Sequence, residues 1–89
     1  MKTPDEKVQD ALYVKDRVTR WLKERHRAEI DAVRSGIRIE AGKVTLVIQT
    51  LIGAIPCHIE AVVNEQEPKD IIMGIMRKVE EVLSGDLQS

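Results

Sequence analysis

No phenylalanine occurs in this chain, and Tyr13 and Trp21 are its only aromatic residues. Its core must therefore be aliphatic, built from isoleucine, valine, leucine and methionine. Cysteine is almost as scarce. Cys57 stands alone, so an internal disulfide is excluded, and two histidines beside it are too few ligands for a structural zinc site. No apolar run approaches the ~20 residues that span a bilayer. No charged-then-apolar leader follows Met1, since Lys2 gives way to Thr3-Pro4-Asp5-Glu6. Neither sign of charge dominates, and a net charge of −1 gives no global pull toward nucleic acid or membrane. Together these absences predict a cytoplasmic protein with no membrane contact, no metal and no cofactor.

What remains is a chain of 89 residues, enough for one domain spanning 1–89. A chain this short buries only about 60–65% of its unfolded surface, so one small core must suffice or a partner must add to it. Charged residues make up 33% and are nearly balanced, the composition of a folded domain rather than a disordered one.

Thr3-Pro4-Asp5-Glu6 combines a capping threonine, a proline suited to the first helical position and a glutamate placed to close a capping box. Ser35-Gly36, preceded by Arg34, reads as the matching stop. Between them Val8, Ala11, Leu12, Val14, Val18, Trp21 and Leu22 share one arc of a helical wheel, interrupted by Lys15 at its rim. A continuous helix over 3–35 would run roughly 45 Å, against a radius of gyration of about 12 Å for a compact domain of this size. The segment Lys23-Glu24-Arg25-His26-Arg27-Ala28-Glu29 is polar on every side. The helix is therefore expected either to break near 23–29 or to overhang its domain, where a second subunit would have to support it.

From Ile37 the period changes to two. Ile37 and Ile39 alternate with Arg38 and Glu40, Ala41-Gly42 turns, and Val44, Leu46 and Ile48 alternate with Thr45, Val47 and Gln49. A two-residue loop pairs Ile39 with Val44 and Ile37 with Leu46, which keeps one face apolar throughout. A further loop over Leu51-Ile52-Gly53-Ala54 would pair Ile48 with Cys57 and Leu46 with Ile59, with Pro56 near the start of an edge strand. Pro68 opens a second helix, over 68–84, with Ile71, Ile72, Ile75, Met76, Val79, Val82 and Leu83 as its stripe. Ser84-Gly85 should end it and leave 86–89 as a tail. The expected fold is α+β: a two-layer domain in α-β-β-β-α order, with a three-stranded antiparallel meander over 37–64 and both helices on one face.

The densest candidate for chemistry is Cys57-His58-Ile59-Glu60. Strand alternation divides it, turning Cys57 inward with Ile55 and Ile59, and His58 and Glu60 outward, about 7 Å apart on one face. Cys57 and His58 then cannot act as a nucleophile and its base, or share a metal. Cys57 is expected to be a small buried hydrophobe. Arg38, Thr45 and Glu60 should form one outer row, with Val47 beside His58. No glycine-rich phosphate cradle accompanies them, so no catalytic residue is assigned and the chain is expected not to be an enzyme.

Two surfaces remain. Arg20, Lys23, Arg27 and Arg34 would fall within one narrow strip if the first helix were continuous, and such a strip can follow phosphates; Asp16, Glu24 and Asp31 dilute its field. The apolar run Leu51-Ile52-Gly53-Ala54-Ile55-Pro56, with Val47, Val62, His58 and the border residue Trp21, is the expected partner interface. The leading expectation is a small non-enzymatic interaction or assembly module that self-associates, a homodimer first, or binds another protein. A nucleic-acid-binding accessory role through the basic strip is the alternative, and a ligand pocket between sheet and helices is a third reading.

The helix–three-strand–helix order resembles that of double-stranded RNA-binding domains over most of the chain. The resemblance lies in element order alone. Where those domains carry phosphate-clamping lysines, this chain has Glu65-Gln-Glu-Pro-Lys-Asp70, and their longer first hairpin loop is replaced by Ala41-Gly42. It therefore implies the fold and assigns no RNA-contacting residue.

Overall fold

The signals at Thr3-Pro4-Asp5-Glu6 are realised as read. The computed structural model describes residues 1–88, with side-chain burial resolved for 1–85. Its first helix, α1, runs Pro4–His26. The Thr3 hydroxyl accepts the Glu6 N–H at 3.2 Å, and the Glu6 carboxylate accepts the Thr3 N–H at 3.3 Å. Two otherwise orphaned donors are satisfied reciprocally.

The helix does not reach Ser35. Arg27 takes a left-handed conformation (φ 52, ψ 38), and the N–H groups of Arg27 and Ala28 both turn back to the Leu22 carbonyl. The cause is the run of polar residues from Lys23: with no apolar side chain to hold another turn against the domain, capping wins over propagation. The chain then doubles back, and Ala28 joins the core. Leu12, at the rim of the predicted apolar arc, is 49% exposed rather than buried.

Past the break lies a strand too short to leave a periodic signal, β1 (Glu29–Ile30). It is followed by β2 (Gly36–Glu40), β3 (Lys43–Ile52) and β4 (Ile55–Val63). The sheet is thus four-stranded and antiparallel rather than a three-stranded meander. β3 is central, with β4 along one side and β1 and β2 end to end along the other. The first hairpin has the register that alternation predicts, Ile37 opposite Leu46 and Ile39 opposite Val44. Ala41 (φ 50) and Gly42 (φ 77) both have positive φ, as a type I′ loop requires.

The second hairpin differs. Leu51 and Ile52 belong to β3, and only Gly53-Ala54 turns, with Gly53 at φ 64. Ile48 therefore faces Ile59 and Leu46 faces Ala61, two residues away from the expected pairing. A shift of two leaves every side chain on its own face, whereas a shift of one would have reversed them all. The apolar segment 51–56 is consequently two strand ends and a tight turn, not a loop.

Helix α2 runs Pro68–Gln88. Ser84-Gly85 does not end it, and residues 86–88, expected as a tail, are helical; Ser89 lies outside the described residues. An internal glycine costs about 1 kcal/mol relative to alanine, too little to stop a helix by itself. Ala11, Val14, Val18 and Leu22 of α1 and Ile71, Ile75 and Val79 of α2 pack with Val44, Leu46, Ile48, Ile59 and Val63. Both helices lie on this one face of the sheet.

Candidate interaction surface

Alternation in β4 separates the Cys57-His58-Ile59-Glu60 cluster as expected. Cys57 is buried, and burial pushes its thiol pKa up from the ordinary value, which disfavours the thiolate. His58 and Glu60 lie on the outer face. Gln49 Nε2 is 2.6 Å from His58 Nδ1, so with the amide nitrogen donating, the imidazole carries its proton on Nε2. That nitrogen is 3.7 Å from Glu60 Oε1, which also accepts from Arg38 Nη2 at 3.1 Å. The expected row of Arg38, Thr45 and Glu60 is instead Arg38, Thr45 and Val62, because of the two-residue shift; Arg38 reaches Glu60 diagonally. For the same reason Val47 stands opposite Glu60 rather than beside His58. The arrangement is a solvated ionic network, and His58 and Glu60 also border the groove beside β4. Among the described residues no three of His, Cys, Asp and Glu gather where a metal could be held. Nor is any described helix long and apolar enough to cross a membrane.

The basic strip loses its geometry with the end of α1. Arg20 and Lys23 stay on the helix, Arg27 occupies the left-handed cap, and Arg34 lies in the turn beyond Ile30. Arg20 pairs with Asp16 at 3.0 Å, and Arg34 lies 3.7 Å from Asp31. Trp21 meets His26 edge-on at a centroid distance of 4.8 Å and helps close the end of the helix.

The residues expected at a partner interface do not form one patch. Ile52 is buried at 7% exposure, and Ile55 and Val47 are partly covered. Leu51, Val62 and His58 are exposed on the outer face of the sheet. Val62 and His58 share β4, and the feature that the sequence does not reveal lies along that strand. Among the described residues β4 pairs with β3 alone, so its other side is an open edge. Beside it runs a groove of about 510 Å³ between β4 and α2. Cys57, Ile59, Ala61, Ile75, Val79 and Val82 give it an apolar lining, and Asp70, Lys78 and Glu81 give it a mixed rim. Gly74 lines it without a side chain, and no atom lies within 4 Å of where its Cβ would stand.

The opposite edge is interrupted rather than continuous. Between β1 and β2 the Asp31 carboxylate accepts the Val33 and Arg34 N–H groups, each at 3.1 Å. The Ser35 hydroxyl accepts the Gln49 N–H at 2.9 Å, taking the place of a strand partner. Compared with known protein families, curated proteins and solved structures, the chain matches none of them, and the resemblance to double-stranded RNA-binding domains stops at element order.

Proposed function

We propose that this chain is a non-enzymatic assembly module that acts by binding a second copy of itself. The observation that carries the reading is the open β4 edge, nine residues long, flanked by an apolar groove. An unpaired strand with an apolar flank offers backbone hydrogen bonds and side-chain burial at one site, the two ingredients of strand addition. Natural proteins blunt such edges with lysine, proline or inward-pointing charge when they are not used. From Cys57 to Val63 none of these devices is present.

Sedimentation velocity across a concentration series tests this. A species of twice the 10.1 kDa chain mass is expected, and a monomer at every concentration would overturn the reading. A second reading, nucleic-acid contact, draws on the surface where Arg17, Arg20 and Lys69 border Tyr13 and Trp21. Mobility-shift titrations at two salt concentrations, on the same samples, decide it. Binding that weakens with salt and falls further in Arg20→Glu favours nucleic acid, and no shift at low salt removes it.

A further inference from the structure

The self-association proposed above leaves the register of the two copies open, and the backbone of β4 narrows it. Ile52 and Ile55 flank a two-residue turn, so they form a hydrogen-bonded pair. Every second residue onward, Cys57, Ile59, Ala61 and Val63, then directs its N–H and C=O toward β3. His58, Glu60 and Val62 direct theirs to the open edge. The other side of β3 agrees with this parity: Gln49, out of step with Ile48 and Ile52, turns its N–H to Ser35 and its carbonyl to Asp31. Pro56 shares the parity of His58, so its missing N–H faces the open edge and costs the β3 ladder nothing.

We propose that two copies join through antiparallel pairing of β4 with the partner's β4, about a two-fold axis at Ile59. In this register His58 stands opposite the partner's Glu60 and exchanges both backbone hydrogen bonds with it, and the axis repeats the exchange. On the outer face an imidazole Nε2–H meets a carboxylate twice. On the groove face Ile59 meets the partner's Ile59, and Cys57 meets the partner's Ala61, a non-hydrogen-bonded pair of small side chains. The neighbouring registers lose the His58–Glu60 pairs: an axis at Glu60 sets two carboxylates opposite each other, and an axis at His58 sets two imidazoles opposite each other and leaves Glu60 facing Pro56. Pro56, with no N–H to give, faces the partner's Val62 in the register proposed and costs one hydrogen bond at each end of the pairing. One self-complementary patch on both subunits is what a two-fold dimer requires.

The register is tested by charge reversal and cross-linking on the full chain. His58→Glu should weaken the dimer roughly tenfold, since it creates two like-charge pairs. Adding Glu60→His to it again sets an imidazole opposite each carboxylate across the axis and should return the dimer to about its original affinity. On oxidation, Ala61→Cys should give a covalent dimer through Cys57, because facing Cα atoms about 4.5 Å apart suit a disulfide. Val63→Cys should not, since it faces Cys57 only when the axis lies at Glu60. If the chain dimerises but the double variant fails to recover, or Val63→Cys cross-links in place of Ala61→Cys, this register is wrong and self-association stands. A chain that is monomeric throughout removes both.

Discussion

Two strips of backbone border the same central strand and are treated in opposite ways. Along one, the chain lays down two residues of β1, leaves the ladder for a turn held by Asp31 and Ser35, and returns for the five residues of β2. Along the other, β4 runs unbroken for nine residues, with a proline only near its start. The first edge is short and interrupted, which makes it a poorer template for another strand than a continuous one. The second keeps its donors and acceptors in line beside an apolar groove. Edge protection is thus a local property of sequence, present as an interruption on one side of β3 and absent from Cys57 to Val63 on the other.

The contrast is broken most severely at Ala61. Ala61→Lys places an inward-pointing charge on the open edge, where the groove rim supplies Asp70 and Glu81 to receive it within the monomer. Self-association should fall by at least about a hundredfold by sedimentation velocity, with the circular dichroism spectrum unchanged. The interrupted edge should respond in the reverse sense. Ser35→Ala leaves the part-buried Gln49 N–H without its partner and should lower unfolding free energy by about 1–2 kcal/mol in urea, with association unaffected.

The smallest effect sharpens the comparison through pH. Burial raises the Cys57 pKa above its value of 9.0 in an unfolded chain, so the folded state holds this proton more tightly. The resulting stability is complete below pH 9.0 and is lost as pH rises through the folded value. The stability difference between the wild-type chain and Cys57→Ala, measured by chemical denaturation at pH 8 and pH 10, should shift against the wild type at the higher pH. A difference unchanged between those two pH values would remove the thiol from the account.

Much of this architecture was legible in the residues. Alternation placed Cys57 inward and His58 and Glu60 outward, and the Ala41-Gly42 loop gave the first hairpin in its observed register. The register of the second hairpin was hidden for a physical reason: alternation has period two, so it is blind to a slip of two. The end of α1 was announced by the polar run from Lys23, but the stop itself fell on Arg27, a residue without glycine's freedom at positive φ. β1 was invisible because two residues carry no period. The groove was anticipated only as a pocket between sheet and helices, with no residues assigned, because periodicity tells which face of α2 is buried, not how close the helix lies to the next strand. Its one sequence signal was Gly74, a gap among the large residues of the second helix.

If copies pair through β4 as proposed, the interruption at 31–35 also bears on how far assembly can go. A sheet open at both sides can be extended by copy after copy and has no natural size, which is the route to fibres. Under the pairing proposed here, growth would start at β4, and the first copy to arrive would occupy it. Joined along β4, each subunit would present outward only the β1–β2 side, two short strands parted by the turn that Asp31 and Ser35 hold. The turn between β1 and β2 would then act as a terminator, fixing the count of subunits at a pair from a position remote from where they meet.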